Sequence, residues 1–212
     1  MNANYLLLIL VFVFSSCRKK EVIIEDKLTE LTVGEINSSV SSMIYPIPIS
    51  IPVEYDTLNL YGVGSYSFDF DLDGEHEITI VLNLINNDSI HLLNGATISP
   101  YPSLSLISDK EIATLTENEE VYVGQGSTVT FSWVKALTVG ETIKNISNWN
   151  ELNEEGTKMW HEMPLALSHK GTWYDLDENR FVAFRYENKL GWIEINATDF
   201  SNPLIIGYGI QR

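Results

Sequence analysis

Apolar and polar residues alternate with a period of two along much of this 212-residue chain, and no long window repeats every 3.6 residues. That alternation predicts strands with one face inward. Phe68, Phe70 and Leu72 alternate with Asp69, Asp71 and Asp73, so an apolar face is expected inward and a carboxylate face outward. Ile78 to Ile85 is apolar on both faces and predicts a central strand. Further strands are expected at Val121–Val123, Val129–Trp133, Phe181–Tyr186, Gly191–Ile195 and Leu204–Ile210. In Tyr45–Pro52 the prolines at 46, 48 and 52 remove donors from one edge while Ile47, Ile49 and Ile51 share a face. This reads as a protected edge strand, with a polyproline-like linker as the alternative. Asn86-Asn87-Asp88 is turn chemistry, and Asn94-Gly95 suits the positive φ angles of a type I′ hairpin. Residues Ile143 to Met163 are the least strand-like and are expected to hold a short helix or a long loop. Many short strands without alternating helices predict an all-β, antiparallel β-sandwich or jelly-roll-like single domain.

The N-terminus reads differently. Tyr5 to Phe14 is apolar, of signal-peptide length and too short to span a bilayer, and it runs into Ser15-Ser16-Cys17-Arg18-Lys19-Lys20. Small residues before a lone cysteine resemble the lipobox of bacterial lipoproteins, although Phe14 stands where leucine is usual and no Lys or Arg precedes the apolar core. The resemblance implies a signal peptide over residues 1–16 and a lipid on Cys17; the charged residues that follow read as a tether over 17–30, with a folded domain expected over 31–212. An ordinary secretory signal with an incidental cysteine is the other reading, and it too exports the chain. The charged Cys17-Arg18-Lys19-Lys20-Glu21 start resembles surface lipoproteins of the Bacteroidota without their paired acids. The expected location is therefore the cell envelope: an outer-membrane lipoprotein facing the periplasm or the surface, anchored by its lipid.

Composition narrows the function classes. A 44% hydrophobic chain of this length can bury one good core. A formal net charge of −16 argues against nucleic acid and anionic lipid surfaces and favours cations. One cysteine leaves no intramolecular disulfide and no cysteine zinc site. His76, His91, His161 and His169 are scattered, and neither a Gly-x-Ser-x-Gly elbow nor a Walker loop is present. Gly62-Val63-Gly64 and Gly124-Gln125-Gly126 read as turns rather than phosphate cradles.

The densest chemistry is Asp69-Phe70-Asp71-Leu72-Asp73-Gly74-Glu75-His76-Glu77. Neighbouring carboxylates repel by about 1 kcal/mol per pair at 4 Å in water, so a counter-ion is expected among them. Calcium loops place oxygen ligands at positions one, three and five, glycine at six and a carbonyl at seven, which matches Asp69, Asp71, Asp73, Gly74 and Glu75. An EF-hand is excluded because its twelfth position is Ile80 instead of glutamate. The stretch resembles instead the inter-strand calcium loop of integrin-type propellers, with Glu77 in place of the last aspartate. The expected metal residues are Asp69, Asp71, Asp73, Glu75 and Glu77, with Ca²⁺ as cofactor. The alternative is an acidic hairpin that keeps an edge soluble. A glycosidase needs two carboxylates facing across a cleft, and these are crowded on one loop. A distant pair such as Glu162 with Asp175 is not selected by any pattern. A second acid cluster, Asp175 to Asn179, reads as a solvated turn, with ion binding as the alternative.

The closing segment, Arg180-Phe181-Val182-Ala183-Phe184-Arg185-Tyr186, a turn at Glu187-Asn188-Lys189, then Leu190-Gly191-Trp192-Ile193-Glu194-Ile195, is similar to the last hairpin of secreted β-sandwich proteins of the Bacteroidota. Leu137, Gly140, Trp149 and the acidic loop resemble further scattered motifs of that group. The resemblance implies fold and export without implying an activity. From the residues alone, Val182, Phe184 and Tyr186 point inward and Trp192 is a large anchor. Trp149, Trp160 and Trp173 lie in the irregular region, where loops can present flat rings to sugars, although core anchoring is the commoner use of such rings. Asp56-Thr57-Leu58 and Asp88-Ser89-Ile90 resemble the short O-glycosylation motif of the same bacteria. The expected function is a non-enzymatic, calcium-stabilised binding or envelope-associated module whose partner is a glycan or an envelope protein. The alternative is a glycan-binding, lectin-like domain or a glycan-active enzyme on the same scaffold.

Overall fold

The computed structural model describes residues 29–56, 61–85, 103–124, 127–153, 155–163, 168–174, 176–199 and 201–212. The expected signal peptide, Cys17 and most of the expected tether lie outside these residues, as do His91, Asp175, both tripeptides that resemble O-glycosylation motifs in whole or part, and the expected turns at Asn86–Asp88 and Asn94-Gly95.

Among the described residues the secondary structure is strand without α-helix, and every strand pair is antiparallel. A small outer pair joins β1 (Glu30–Thr32) to β9 (Thr142–Lys144). One large sheet runs β10 (Trp149–Glu151), β7 (Ile112–Gly124), β13 (Asn179–Tyr186), β14 (Lys189–Asn196), β15 (Leu204–Gln211), β2 (Val40–Ser50), with β8 (Ser127–Val134) paired to β7. The facing sheet runs β12 (Ser168–Lys170), β11 (Thr157–Met163), β6 (Ser103–Ile107), β5 (Ile78–Ile85), β4 (Tyr61–Phe68), β3 (Val53–Tyr55). The expected sandwich is what forms, with β5 in the interior of its sheet.

The core lies between the sheets. Phe68, Ile78, Ile80, Leu82, Leu104 and Leu106 from one side meet Val182, Phe184, Ile193, Ile195, Ile205 and Ile210 from the other. Phe70 stacks on Phe184 with ring centroids 4.4 Å apart and planes 11° apart, and Phe68 meets Tyr208 edge-on at 5.9 Å. A second core covers the outer face of the larger sheet, where Phe181, Ala183, Leu190 and Trp192 pack with Leu31, Val33, Leu115, Leu137 and Ile143. With both faces covered, β13 can be apolar at four successive positions, Phe181-Val182-Ala183-Phe184, all of them buried. The turn between β13 and β14 is two residues long, and Glu187 (φ 48°) and Asn188 (φ 64°) are both left-handed, the geometry of a type I′ hairpin. Gly191 faces Phe184 across the ladder, and a Cβ there would collide with the ring.

Four expectations change in detail. The proline-rich segment is the edge strand β2, but its ladder with β15 is interrupted between the Ile205↔Ile49 and Gly207↔Ile44 pairs. The residues between, including Pro46 and Pro48, bulge from the sheet, and Ile47 is 80% exposed while Ile49 packs on the core and Ile51 is buried. Leu72 does not follow Phe68 and Phe70 inward, because at φ 64° it turns with the acidic loop and is exposed. Residues 143–163 contain no helix among those described; they supply the end of β9, all of β10 and β11. Gly62 and Gly64 are strand residues of β4 paired with Tyr55 and Val53, where side chains would collide with β3.

Candidate metal centre

The acidic loop joins β4 to β5, and both ends are tied down. Phe68 is the last residue of β4, and its carbonyl accepts from the Glu77 N–H at 2.8 Å, closing the loop at its base. Phe70, within the loop, is stacked into the main core. The remaining backbone is held by the aspartates themselves. Asp69 accepts from the N–H of Leu72 at 2.6 Å and of Gly74 at 3.0 Å, through different oxygens. Asp71 accepts from the Asp73 N–H at 3.2 Å, and Asp73 from the Glu75 N–H at 2.8 Å. Leu72 and Gly74 are left-handed, which turns successive N–H groups toward the carboxylates.

One ligand oxygen from each of Asp69, Asp71, Asp73 and Glu77 lies within 4.8 Å of every other. Two oxygens on opposite sides of a calcium ion at about 2.4 Å are separated by about this distance. The oxygen-only donor set is that of a hard cation. This acidic group can hold a metal ion.

The charges of the loop crowd around Glu77. Glu77 is 1% exposed, and its Oε2 accepts from the Phe70 N–H at 2.6 Å. Burial raises its pKa, the Phe70 N–H opposes that rise, and the charges of Asp71, Asp69 and Asp73 add to it. The Ser108 hydroxyl donates to the Glu77 carbonyl at 2.6 Å and accepts from the Lys110 N–H at 3.0 Å, so the turn after β6 braces the loop.

Of the five predicted ligands, four converge and Glu75 does not. Its side chain pairs with Lys110, Nζ to Oε2 at 2.9 Å, at the surface, leaving only its main-chain carbonyl at the seventh loop position. Ser108 and Lys110 lie more than thirty residues downstream and carry no motif in the sequence beyond a short polar turn. The second acid cluster is occupied by an arginine: Arg180 pairs with Asp177 at 3.9 Å and with Glu178.

Two of the three tryptophans, Trp160 and Trp173, are not presented to solvent. Trp160 and Trp173 are fully buried in the main core, and Trp173 Nε1 donates to the Val134 carbonyl at 3.0 Å. Trp149 is half-buried at the second core, donates to the Lys144 carbonyl at 3.0 Å, and has the Arg185 guanidinium 5.5 Å from its ring centroid. Sugar stacking on Trp160 and Trp173 does not hold: β11 turns the Trp160 ring inward, and the turn that follows β12 does the same for Trp173. No protein-family model, curated protein or solved structure matches this chain.

Proposed function

We propose that the chain is an exported lipoprotein, held to the bacterial cell envelope through a lipid on Cys17, and that calcium at Asp69, Asp71, Asp73 and Glu77 locks its β-sandwich. In this reading it works as a non-enzymatic binding or envelope-associated module. The observation that carries the metal part is the convergence of four carboxylates within 4.8 Å, one of them buried, while Lys110 is engaged by Glu75. Calcium suits an extracytoplasmic protein because millimolar sites of this kind fill outside the cytoplasm. The apolar run Tyr5–Phe14 before Ser15-Ser16-Cys17 supports export and anchoring, and the resemblance of the closing hairpin to secreted Bacteroidota proteins agrees with both.

The test is a thermal melt with calcium and with chelator. Calcium at a hundredfold excess over its Kd adds about 2.7 kcal/mol, which is about 5–10 °C for a domain of this size. Asp71→Asn should abolish most of that difference. A parent melt that does not move on chelation overturns the calcium reading. For the anchor, Cys17→Ala should release the protein from the membrane fraction, and unchanged fractionation counts against lipidation.

A further inference from the structure

A second feature lies away from the acidic loop. A cleft of about 410 Å³ opens between β8, β10 and the start of β11, lined by Phe131, Ser132, Trp133, Asn150, Thr157 and Lys158 together with Gly156. Its volume falls in the range of small-molecule sites. In a chain of net charge −16, this wall holds no carboxylate among the described residues. Lys158 is its single charged residue, and among the described residues its ammonium takes part in none of the ion pairs, which use Lys110, Lys135, Lys144 and Arg180. Burial lowers the pKa of Lys158, and among the described residues no anion offsets the loss of hydration.

The surroundings are built. The β11 to β6 ladder shifts register between Lys158 and Trp160, a bulge of the kind that re-aims a side chain. Phe131 stacks on Trp133 at 5.5 Å and is half-buried, so one aromatic wall remains partly open. Trp133 Nε1 is buried and finds no acceptor among the described residues. Asn150 donates its amide to Thr116 and, at 3.4 Å, to Ser132, which leaves its carbonyl oxygen as an acceptor facing no protein donor among the described residues.

We propose that this cleft binds a small carboxylate-bearing sugar, a hexuronate or the uronate unit of an acidic glycan, with Lys158 meeting the carboxylate. The hydroxyls of Ser132 and Thr157 and the Asn150 carbonyl suit sugar hydroxyls, and the Phe131 ring suits the apolar face of a pyranose. A monoanion fits better than a phosphate, because one ammonium stands alone against the negative field of the whole chain. The site gives the binding module a ligand class without depending on the metal loop.

The full mature domain is titrated with D-glucuronate, with D-glucose as the neutral analogue and sodium sulfate as a plain anion, by ligand-observed NMR and calorimetry. Each is run with calcium and with chelator. Saturable binding of glucuronate is expected, about tenfold weaker for glucose, the scale of one charge-assisted hydrogen bond. Lys158→Met should lose the preference for glucuronate while retaining a cooperative melt, and Lys158→Arg should restore part of it. Binding that persists in chelator separates this site from the calcium reading. No saturable glucuronate binding, equal binding of sulfate, or an unchanged preference in Lys158→Met overturns the proposal.

Discussion

At Glu77 two opposing environments meet in one side chain. Burial and three aspartates disfavour its charge, while a cation among the same oxygens would require it. Glu77→Gln should therefore change sign with conditions: in chelator it raises the melting temperature by removing a buried, repelled carboxylate, and in saturating calcium it lowers it by removing a ligand. Paired melts of parent and variant check this, and a shift of the same sign in both conditions would remove Glu77 from the metal site. Lys158 gives the pH-dependent case. Its pKa is lower in the folded chain than in the unfolded one, so the stability it leaves intact is full above the ordinary lysine range and is lost as pH falls through its folded value. Lys158→Met should accordingly melt higher than the parent at neutral pH. That advantage should shrink as pH rises past the ordinary lysine value, read as the difference between two melting curves at each pH.

At the scale of elements, the β13–β14 hairpin shows how much a local pattern can specify. The two-residue turn follows from the eight-residue ladder on either side, since each partner from Asn179↔Asn196 to Tyr186↔Lys189 is in register. Glu187 occupies a left-handed position that costs a non-glycine residue about 1 kcal/mol and that asparagine tolerates better. Glu187→Asn should stabilise the domain by about 0.5–1 kcal/mol, seen as a higher denaturant midpoint with unchanged slope. The edge strand β2 is a different lesson. Three prolines announce an unpaired edge, and the strand lies at one. Yet two of them, Pro46 and Pro48, lie where the ladder breaks opposite Ile206, so the alternation that should bury Ile47 with Ile49 and Ile51 is lost, and Ile47 is exposed. A strand's side-chain period holds only while its register does.

Across the whole molecule, 29 acidic and 13 basic side chains leave a self-repelling surface. Monovalent salt should raise the melting temperature in chelator by a few degrees through screening, whereas calcium should act at far lower concentration through a site. Salt titrations with and without calcium distinguish the two. A calcium effect that sodium reproduces at equal ionic strength would reduce the metal to a screening ion.

The sequence by itself determined the fold class, the edge and central strands, the closing hairpin and the acidic loop. Each of these is local: strand period, turn residues and ligand spacing depend on neighbours within about ten positions. Asp69, Asp71 and Asp73 were legible for that reason. What only the tertiary structure decided is which distant groups meet. Glu75 and Glu77 look equivalent in the chain, and they part because the β4–β5 ladder closes on the Glu77 N–H and buries its carboxylate, while Lys110 from another turn takes Glu75. Trp160 is turned inward by β11 and Trp173 by the turn after β12, and no periodic signal announced either. The cleft at Lys158 is assembled from β8, β10 and β11, and its β8 and β11 walls lie more than twenty positions apart. Burial and charge pairing depend on atoms brought together across the sheets, and no short window of sequence records them.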